Sequence, residues 1–412
     1  MRKLSGLRFQ ILVVLSVACV ASLLICVRGL DAYTFVSWGE VDVKVYVIAL
    51  DGVSGQGVGN VTDAVEGCLD ACRVDGSHSI IWVHGSPSCY KLGINTSVAV
   101  VHDWNTYRQI VENESNVIVV NVHGETVPVP SGYMRDAWVD KIAEAMLTRN
   151  VTWVHTAGYP FFYSYLRESG EALWGEGGFK RLMRHIGLEN VTCWPLGSEE
   201  DLTDVHTYFE NTVMKDWHGA YDAYIVERGK PLNGSDFRDR VVGVIWGCET
   251  GGMAGAIIEF SEPNQTDSSG FYVHVGAHET YKDGNPPEET DGDFYRSYVG
   301  VAQAIYTSSF KLASEGAISQ AEDAVVEAET EGRTKGLVEA RQLLQQARDN
   351  FGSYYYDYGV FYANEAKEAA GAAEKPTFLE SYGMPLAVLG VIGGVSACGL
   401  IISETKKNKK KR

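Results

Sequence analysis

Four times in this chain an apolar run closes on histidine: Trp82-Val83-His84-Gly85, Val100-Val101-His102-Asp103, Asn121-Val122-His123-Gly124 and Trp153-Val154-His155-Thr156. A fifth stretch, Phe271–Glu279 (FYVHVGAHE), carries His274 and ends in His278 and Glu279. Neutral imidazoles beside carboxylates are ligands for zinc or iron, and a His next to a Glu can move protons. With Asp103 and Glu125 these give a candidate ligand or metal rim of His84, His102, Asp103, His123, Glu125, His155, His278 and Glu279. A divalent metal is the cofactor such a set would take. Three uses stay open: a catalytic or metal site, a polar rim for a small ligand, and histidines that only satisfy loop carbonyls. Nucleophilic chemistry has less support, because no G-x-S-x-G or G-x-C-x-G elbow follows any apolar run. Trp138, Trp153, Trp174, Trp194 and Trp246, with Tyr159 and Phe161–Tyr163, offer rings that could stack on sugars or fill a core.

A shared rim requires the runs to be neighbouring strands of one sheet, since ligands of open α/β sheets bind at the carboxyl edge. The stretch Asn116–Tyr163 meets that demand. Val117–Val122 is a short β-branched run suited to a strand buried on both faces. Met134–Leu147 places Ala137, Trp138, Ile142, Ala145 and Met146 on one helical stripe, and Val151–His155 is the next strand. Further strands are expected at Val41–Leu50, Ser79–Val83, Val98–Val101, Val191–Cys193, Val241–Trp246, Ala254–Phe260 and Phe271–Val275. Helices are expected at Val61–Cys72, Tyr107–Glu112, Gly178–Ile186, Asp201–Asn211 and Tyr295–Phe310. The glycine-rich turn Gly52–Gly59 meets neither phosphate-loop pattern and reads as a flexible loop. The fold class expected is α/β with a mostly parallel, doubly wound sheet over residues 39–310. Residues 311–375, rich in alanine and glutamate, read as a helical hairpin or stalk.

The chain ends give an address. Arg2, Lys3 and Arg8 precede the apolar run Ile11–Val27, so residues 1–30 read as a signal peptide or signal anchor. Met384–Ile402 has no charge and is long enough for one transmembrane helix, and the tail 403–412 carries six basic residues. Basic residues stay cytoplasmic, which puts the bulk of the chain outside the cell membrane. Gly390 and Gly394 form a GxxxG spacing that lets two such helices approach and self-associate. Seven asparagines fit the glycosylation pattern: Asn60, Asn95, Asn113, Asn150, Asn190, Asn233 and Asn264. Ten of the 35 Lys+Arg lie in the leader and tail, while all but one of the 53 Asp+Glu lie between them. The outer part is therefore strongly acidic, which argues against nucleic acid as a partner. Its five cysteines are Cys68, Cys72, Cys89, Cys193 and Cys248. Outside the cell pairing is expected, of Cys68 or Cys72 with Cys89 and of Cys193 with Cys248.

The order VIVVNVHG, helix, VTWVHTAGYPFF, then GEGGFKRLMRHIGLENVTCWP resembles the class I glutamine amidotransferase-like fold, and within it the ThuA-like branch. Gly270–Gly276 (GFYVHVG) is similar to that family's late strand leading into a Gly-His turn. The likeness spans roughly residues 40–310. It implies the sheet and a carbohydrate-related or purely binding role. It does not imply glutamine hydrolysis, since the matching turn His155-Thr-Ala-Gly-Tyr-Pro160 lacks the family's nucleophilic Cys. Leader, outer domain, stalk and basic tail together resemble an archaeal cell-surface protein. The function expected is a non-catalytic binding or scaffold role at the surface, with a carbohydrate or a surface protein as partner. The alternative is an extracytoplasmic metal-assisted hydrolase acting on carbohydrate or peptide at the histidine rim.

Overall fold

The computed structural model describes residues 34–53, 55–73, 79–82, 88–188, 190–195, 202–203, 223–227, 240–248, 252–261, 269–276 and 289–377. The chain divides into two compact units after Leu312. The first opens with β1 (Thr34–Ile48), α1 (Val61–Arg73), β2 (Ser79–Trp82), β3 (Ser88–Val101) and α2 (Trp104–Asn113). It continues with β4 (Val117–Asn121), β5 (Thr126–Val129), α3 (Arg135–Arg149), β6 (Thr152–His155), β7 (Tyr163–Leu166) and β8 (Gly170–Leu173). Then come α4 (Gly177–Arg184), β9 (Val191–Pro195), β10 (Leu202–Thr203), β11 (Ala223–Glu227), β12 (Val241–Cys248), β13 (Met253–Glu259) and β14 (Phe271–Val275). The long helix α5 (Glu289–Thr330) follows.

Among the described residues the main sheet runs β10-β12-β13-β14-β6-β4-β1-β3-β2, with β11 against β13 and β9 against β11. Its centre, β14-β6-β4-β1-β3, is parallel throughout. Antiparallel strands extend it at both sides. Counted in chain order, the five parallel strands stand 2-1-3-4-5. The winding direction therefore reverses between β1 and β4, where strand ends diverge and leave a crevice.

Helices cover both faces. On one, Tyr107, Trp138, Ile142, Met146, Phe179 and Leu182 pack with Tyr46, Ile48, Val119, Trp153 and Tyr272. On the other, α1 and the first turns of α5 lie so close that a methyl at Gly67 would stand 2.1 Å from the Phe294 carbonyl oxygen. A methyl at Gly300 would meet Val154 at 3.0 Å and Val275 at 3.2 Å, which seats α5 directly on β6 and β14. Helix starts follow local chemistry. Asp103 caps α2 by accepting from the Thr106 amide at 2.7 Å, and Asn60 accepts from the Thr62 amide at 2.9 Å at the head of α1. α3 stops at Asn150, which takes the left-handed conformation with φ 52°.

Several expectations need correction. Residues 126–133, read as loop, contain β5, which pairs with β7, itself paired with β8, in a separate three-stranded sheet. Pro128 is tolerated there because β5 is an edge strand. Leu202 and Thr203, expected in a helix, pair with β12, and the rest of Asp201–Asn211 lies outside the described residues. β12, β13 and β14 form an antiparallel run, and β14 joins it to the central parallel set by pairing with β6.

The second unit combines the end of α5 with α6 (Leu337–Gly352) and α7 (Tyr356–Ala372). The residues read as a helical hairpin or stalk thus hold three helical members, the first of them the end of α5. Ala321, Ala328, Ala340, Leu344, Ala347, Ala363, Ala366 and Ala370 form its core, and such small residues let helix backbones approach closely. Gly359 is needed because a methyl there would lie 2.3 Å from Ser314 Oγ. Residues 1–30, Met384–Ile402 with Gly390 and Gly394, and the tail lie outside the described residues. Among those described, no helix is long and apolar enough to cross a membrane.

Candidate functional site

Where parallel strands end and separate, their last N–H and C=O groups lose their ladder partners, and burial makes that costly. The strand-end histidines meet this need. His123, just past β4, accepts the Leu50 amide proton at Nε2, 2.9 Å away across the crevice between β4 and β1. Its proton therefore sits on Nδ1. Burial pulls its pKa down to about 4, so the ring is neutral at pH 7. On the other flank of β1, His102 donates from Nδ1 to the Ala49 carbonyl at 2.7 Å. This ring is exposed, with the Asp51 carboxylate at 3.6 Å.

His155 ends β6 and His274 stands beside it in register on β14. Their rings stack 5.5 Å apart and only 9° from parallel, and both are buried. His155 donates from Nε2 to the Gly158 carbonyl at 3.4 Å. Burial, and then the neighbouring His274, hold its pKa well below the usual imidazole range. Asn121 organises the turn from β4 to β5: its Nδ2 donates to the Thr126 carbonyl at 3.0 Å, and its Oδ1 accepts from the His123 amide at 3.3 Å.

Glu125 does not present its carboxylate to this rim as a ligand. Its Oε1 accepts from the Tyr159 amide at 3.0 Å, and its side chain packs on Gly57 and Gly158. The Glu125 amide in turn donates to the Gln56 carbonyl at 2.7 Å, which draws the glycine-rich segment over the rim. Gly124, at φ 57°, allows this, since a methyl there would stand 2.4 Å from the Gln56 oxygen. Asp103 is a helix cap, and the hydrogen bonds from Thr106 hold its carboxyl below the ordinary range. His84, His278 and Glu279 lie outside the described residues. Thus His155 and His274 stack on neighbouring strands and His123 lies just past the next strand, β4, whereas Glu125 holds the Tyr159 amide, His102 the Ala49 carbonyl and Asp103 the Thr106 amide.

One part of the rim escaped sequence reasoning. Asp293, in the first turns of α5, pairs with Arg296 at 2.5 Å, and both are buried. Asp293 also accepts the Asn60 amide proton at 2.6 Å, and Arg296 donates to the Gly57 carbonyl at 3.4 Å. The pair fastens the glycine-rich segment from its other side. The i, i+3 spacing of Asp and Arg after the polar loop was the signal available. Among the described residues no group of three or more His, Cys, Asp or Glu is arranged to hold a metal ion.

The expected disulfides do not form. Cys68 and Cys72 are free, buried thiols, and burial pushes Cys72 up to about 12. The Cys72 carbonyl accepts from Thr96 Oγ1, seven residues along β3 from Cys89, which is about 23 Å of strand. Cys193 is likewise a buried thiol. It faces Ile225, which pairs with Met253, which pairs with Gly247. Three strand spacings, roughly 14 Å, therefore separate it from the end of β12. Of the rings offered for sugar stacking, Trp138, Trp153 and Phe161 are core. Among the glycosylation candidates Asn95, Asn113 and Asn190 are exposed and Asn60 is half-buried. Asn150 is buried, with its Nδ2 donating to Asn116 at 3.0 Å, so the folded chain does not present it. Asn233 and Asn264 lie outside the described residues.

Compared with known proteins, the chain matches no family model and no curated protein.

Proposed function

We propose that the chain is a membrane-anchored extracytoplasmic protein whose α/β unit binds or scaffolds at the cell surface without catalysis. The observation that carries this reading is the burial of His123, His155 and His274, with His123 bonded to the Leu50 amide across the crevice and His155 to the Gly158 carbonyl just past its own strand. A proton-transfer or metal site needs imidazoles that reach a substrate or an ion, and these three are buried. The strand order 2-1-3-4-5 is that of flavodoxin-like doubly wound sheets, which supports the likeness to the amidotransferase-like and ThuA-like fold. The absence of Cys from the turn His155–Pro160 supports a binding role. The uncharged run Met384–Ile402 with its basic tail supports the anchor, and the exposed sequons support an outward-facing domain. A carbohydrate or another surface protein is the partner class, and Gly390 with Gly394 a route to self-association in the bilayer.

The test is elemental analysis of the full chain purified in detergent, together with protease treatment of intact cells. The reading expects substoichiometric zinc and iron, and loss of all but the tail to external protease. Stoichiometric metal that disappears in a His155→Gln variant would replace it with the metal-assisted hydrolase of carbohydrate or peptide.

A further inference from the structure

In the helical unit, ion pairs tie the end of α5 to α6 as antiparallel neighbours. Arg341 donates to Glu329 at 2.6 Å, and Arg348 to Glu322 at 2.6 Å. Seven residues separate the two levels on either helix, about 10 Å of rise. On α5, Glu322, Val326 and Glu329 share one stripe at i, i+4 and i+7. On α6, Val338, Arg341, Gln345 and Arg348 share another at i, i+3, i+7 and i+10. Both stripes lie outside the alanine-rich core: the four charged side chains are 42–55% exposed, and Val326 and Val338 are 60% and 62% exposed. The seam thus presents an acidic stripe beside a basic one, with a bare valine on each.

Such a face is complementary to a copy of itself in one orientation. Turn a second copy by half a revolution about a line parallel to the helices, and its α6 lies over the first copy's α5. Glu329 then meets the second copy's Arg341, and Glu322 its Arg348, because each internal pair already sets the level. Both levels become squares of alternating charge, and the valines leave water. Turned about a line across the helices instead, acid faces acid, which disfavours that pairing. The favoured turn also sends both chains towards Met384–Ile402 in the same direction, as two chains anchored in one bilayer require.

We infer that the α5–α6 face is a parallel, two-fold contact between two copies of this chain. It rests on the membrane-anchored reading above, because two helices over about 10 Å make a smaller face than the roughly 1,200–2,000 Å² that holds partners from free solution. A shared bilayer supplies the effective concentration. The test co-expresses two tagged forms of the full chain, crosslinks intact membranes with an amine-reactive reagent, and captures one tag to detect the other. Glu322→Arg, Glu329→Arg, Arg341→Glu and Arg348→Glu together keep the internal pairs but exchange the stripes. Wild type should capture wild type and the exchanged form itself, while mixed capture falls at least tenfold. Val326→Arg gains its own Glu322 and Glu329 as helix neighbours, so the fold is kept, yet it opposes the second copy's Arg341 and Arg348. It should lower self-capture at least tenfold, and it decides alone if the exchanged form does not capture itself. Mixed capture equal to wild type, undiminished self-capture of Val326→Arg, or no capture between wild-type chains would each overturn the contact. A chain still embedded in the membrane would then spare the anchor. A chain recovered whole in the soluble fraction would overturn both.

Discussion

His123 joins two strands through one hydrogen bond, and its chemistry can be removed and returned. His123→Ala leaves the Leu50 amide buried without its acceptor, which costs about 1–3 kcal/mol. It also leaves a space the size of the lost ring. Imidazole added at tens of millimolar should raise the variant's melting temperature and leave the wild type unmoved. Equal response of both proteins would mean that the ring does not act as this acceptor. The same ring makes the fold acid-sensitive. Its pKa is about 4 when folded against 6.5 for a free imidazole, so the unfolded chain binds the proton more readily. Its contribution is complete above pH 6.5 and falls as pH drops toward 4, by about 3 kcal/mol in all. His155, lowered in the same direction by burial, adds to the loss as pH falls below the ordinary imidazole range. Urea titrations at pH 7.5, 6 and 5 should show stability falling with acid, with a smaller slope in His123→Gln, whose amide oxygen can accept but does not titrate there.

At the level of elements, the contact between α1 and α5 admits no side chain at Gly67. Gly67→Ala drives a methyl into the Phe294 backbone and should cost about 1–3 kcal/mol by urea unfolding. A cost near zero would mean that the two helices separate freely. The sequence made most of these elements readable. β4, α3 and β6 lie within two residues of the β-branched and 3.6-residue patterns that announce them. Strand-end histidines were legible as a set, because each closes an apolar run. Their work was not, since alternation along one strand says nothing about which carbonyl or amide of the next strand is left bare. β5 and β7 were missed because a four-residue strand containing proline looks like a turn, and only its partner, some 35 residues later, makes it a strand. β1 was read seven residues too short at its start because Gly39 and Glu40 break the apolar run, yet β3 pairs with Glu40 and, past a register shift, with Thr34–Ser37.

Across the whole molecule, charge outweighs any single pair. Residues 31–403 hold all but one of the 53 acids and, once the ten basic residues of leader and tail are set aside, 25 of the 35 bases. Ion pairs such as Arg341–Glu329 and Arg348–Glu322 are well exposed and contribute little each. Self-repulsion of the excess acid is screened by salt, with a Debye length of about 10 Å at 0.1 M and about 3 Å at 1 M. The melting temperature at pH 7.5 should therefore rise by several degrees between 0.05 M and 1 M sodium chloride. A flat or falling response would show that attractive pairs dominate.

The small sheet of β5, β7 and β8 has a bearing on how such a chain can change. In most α/β proteins each segment following a strand varies in length on its own, which is how one scaffold acquires many specificities. Here the segment after β4 and the segment after β6 share a ladder from Thr126–Val129 to Tyr163–Leu166. An insertion in one misaligns the other, so drift at this end of the molecule has to proceed by paired changes, and a graft of one foreign segment alone should be rejected.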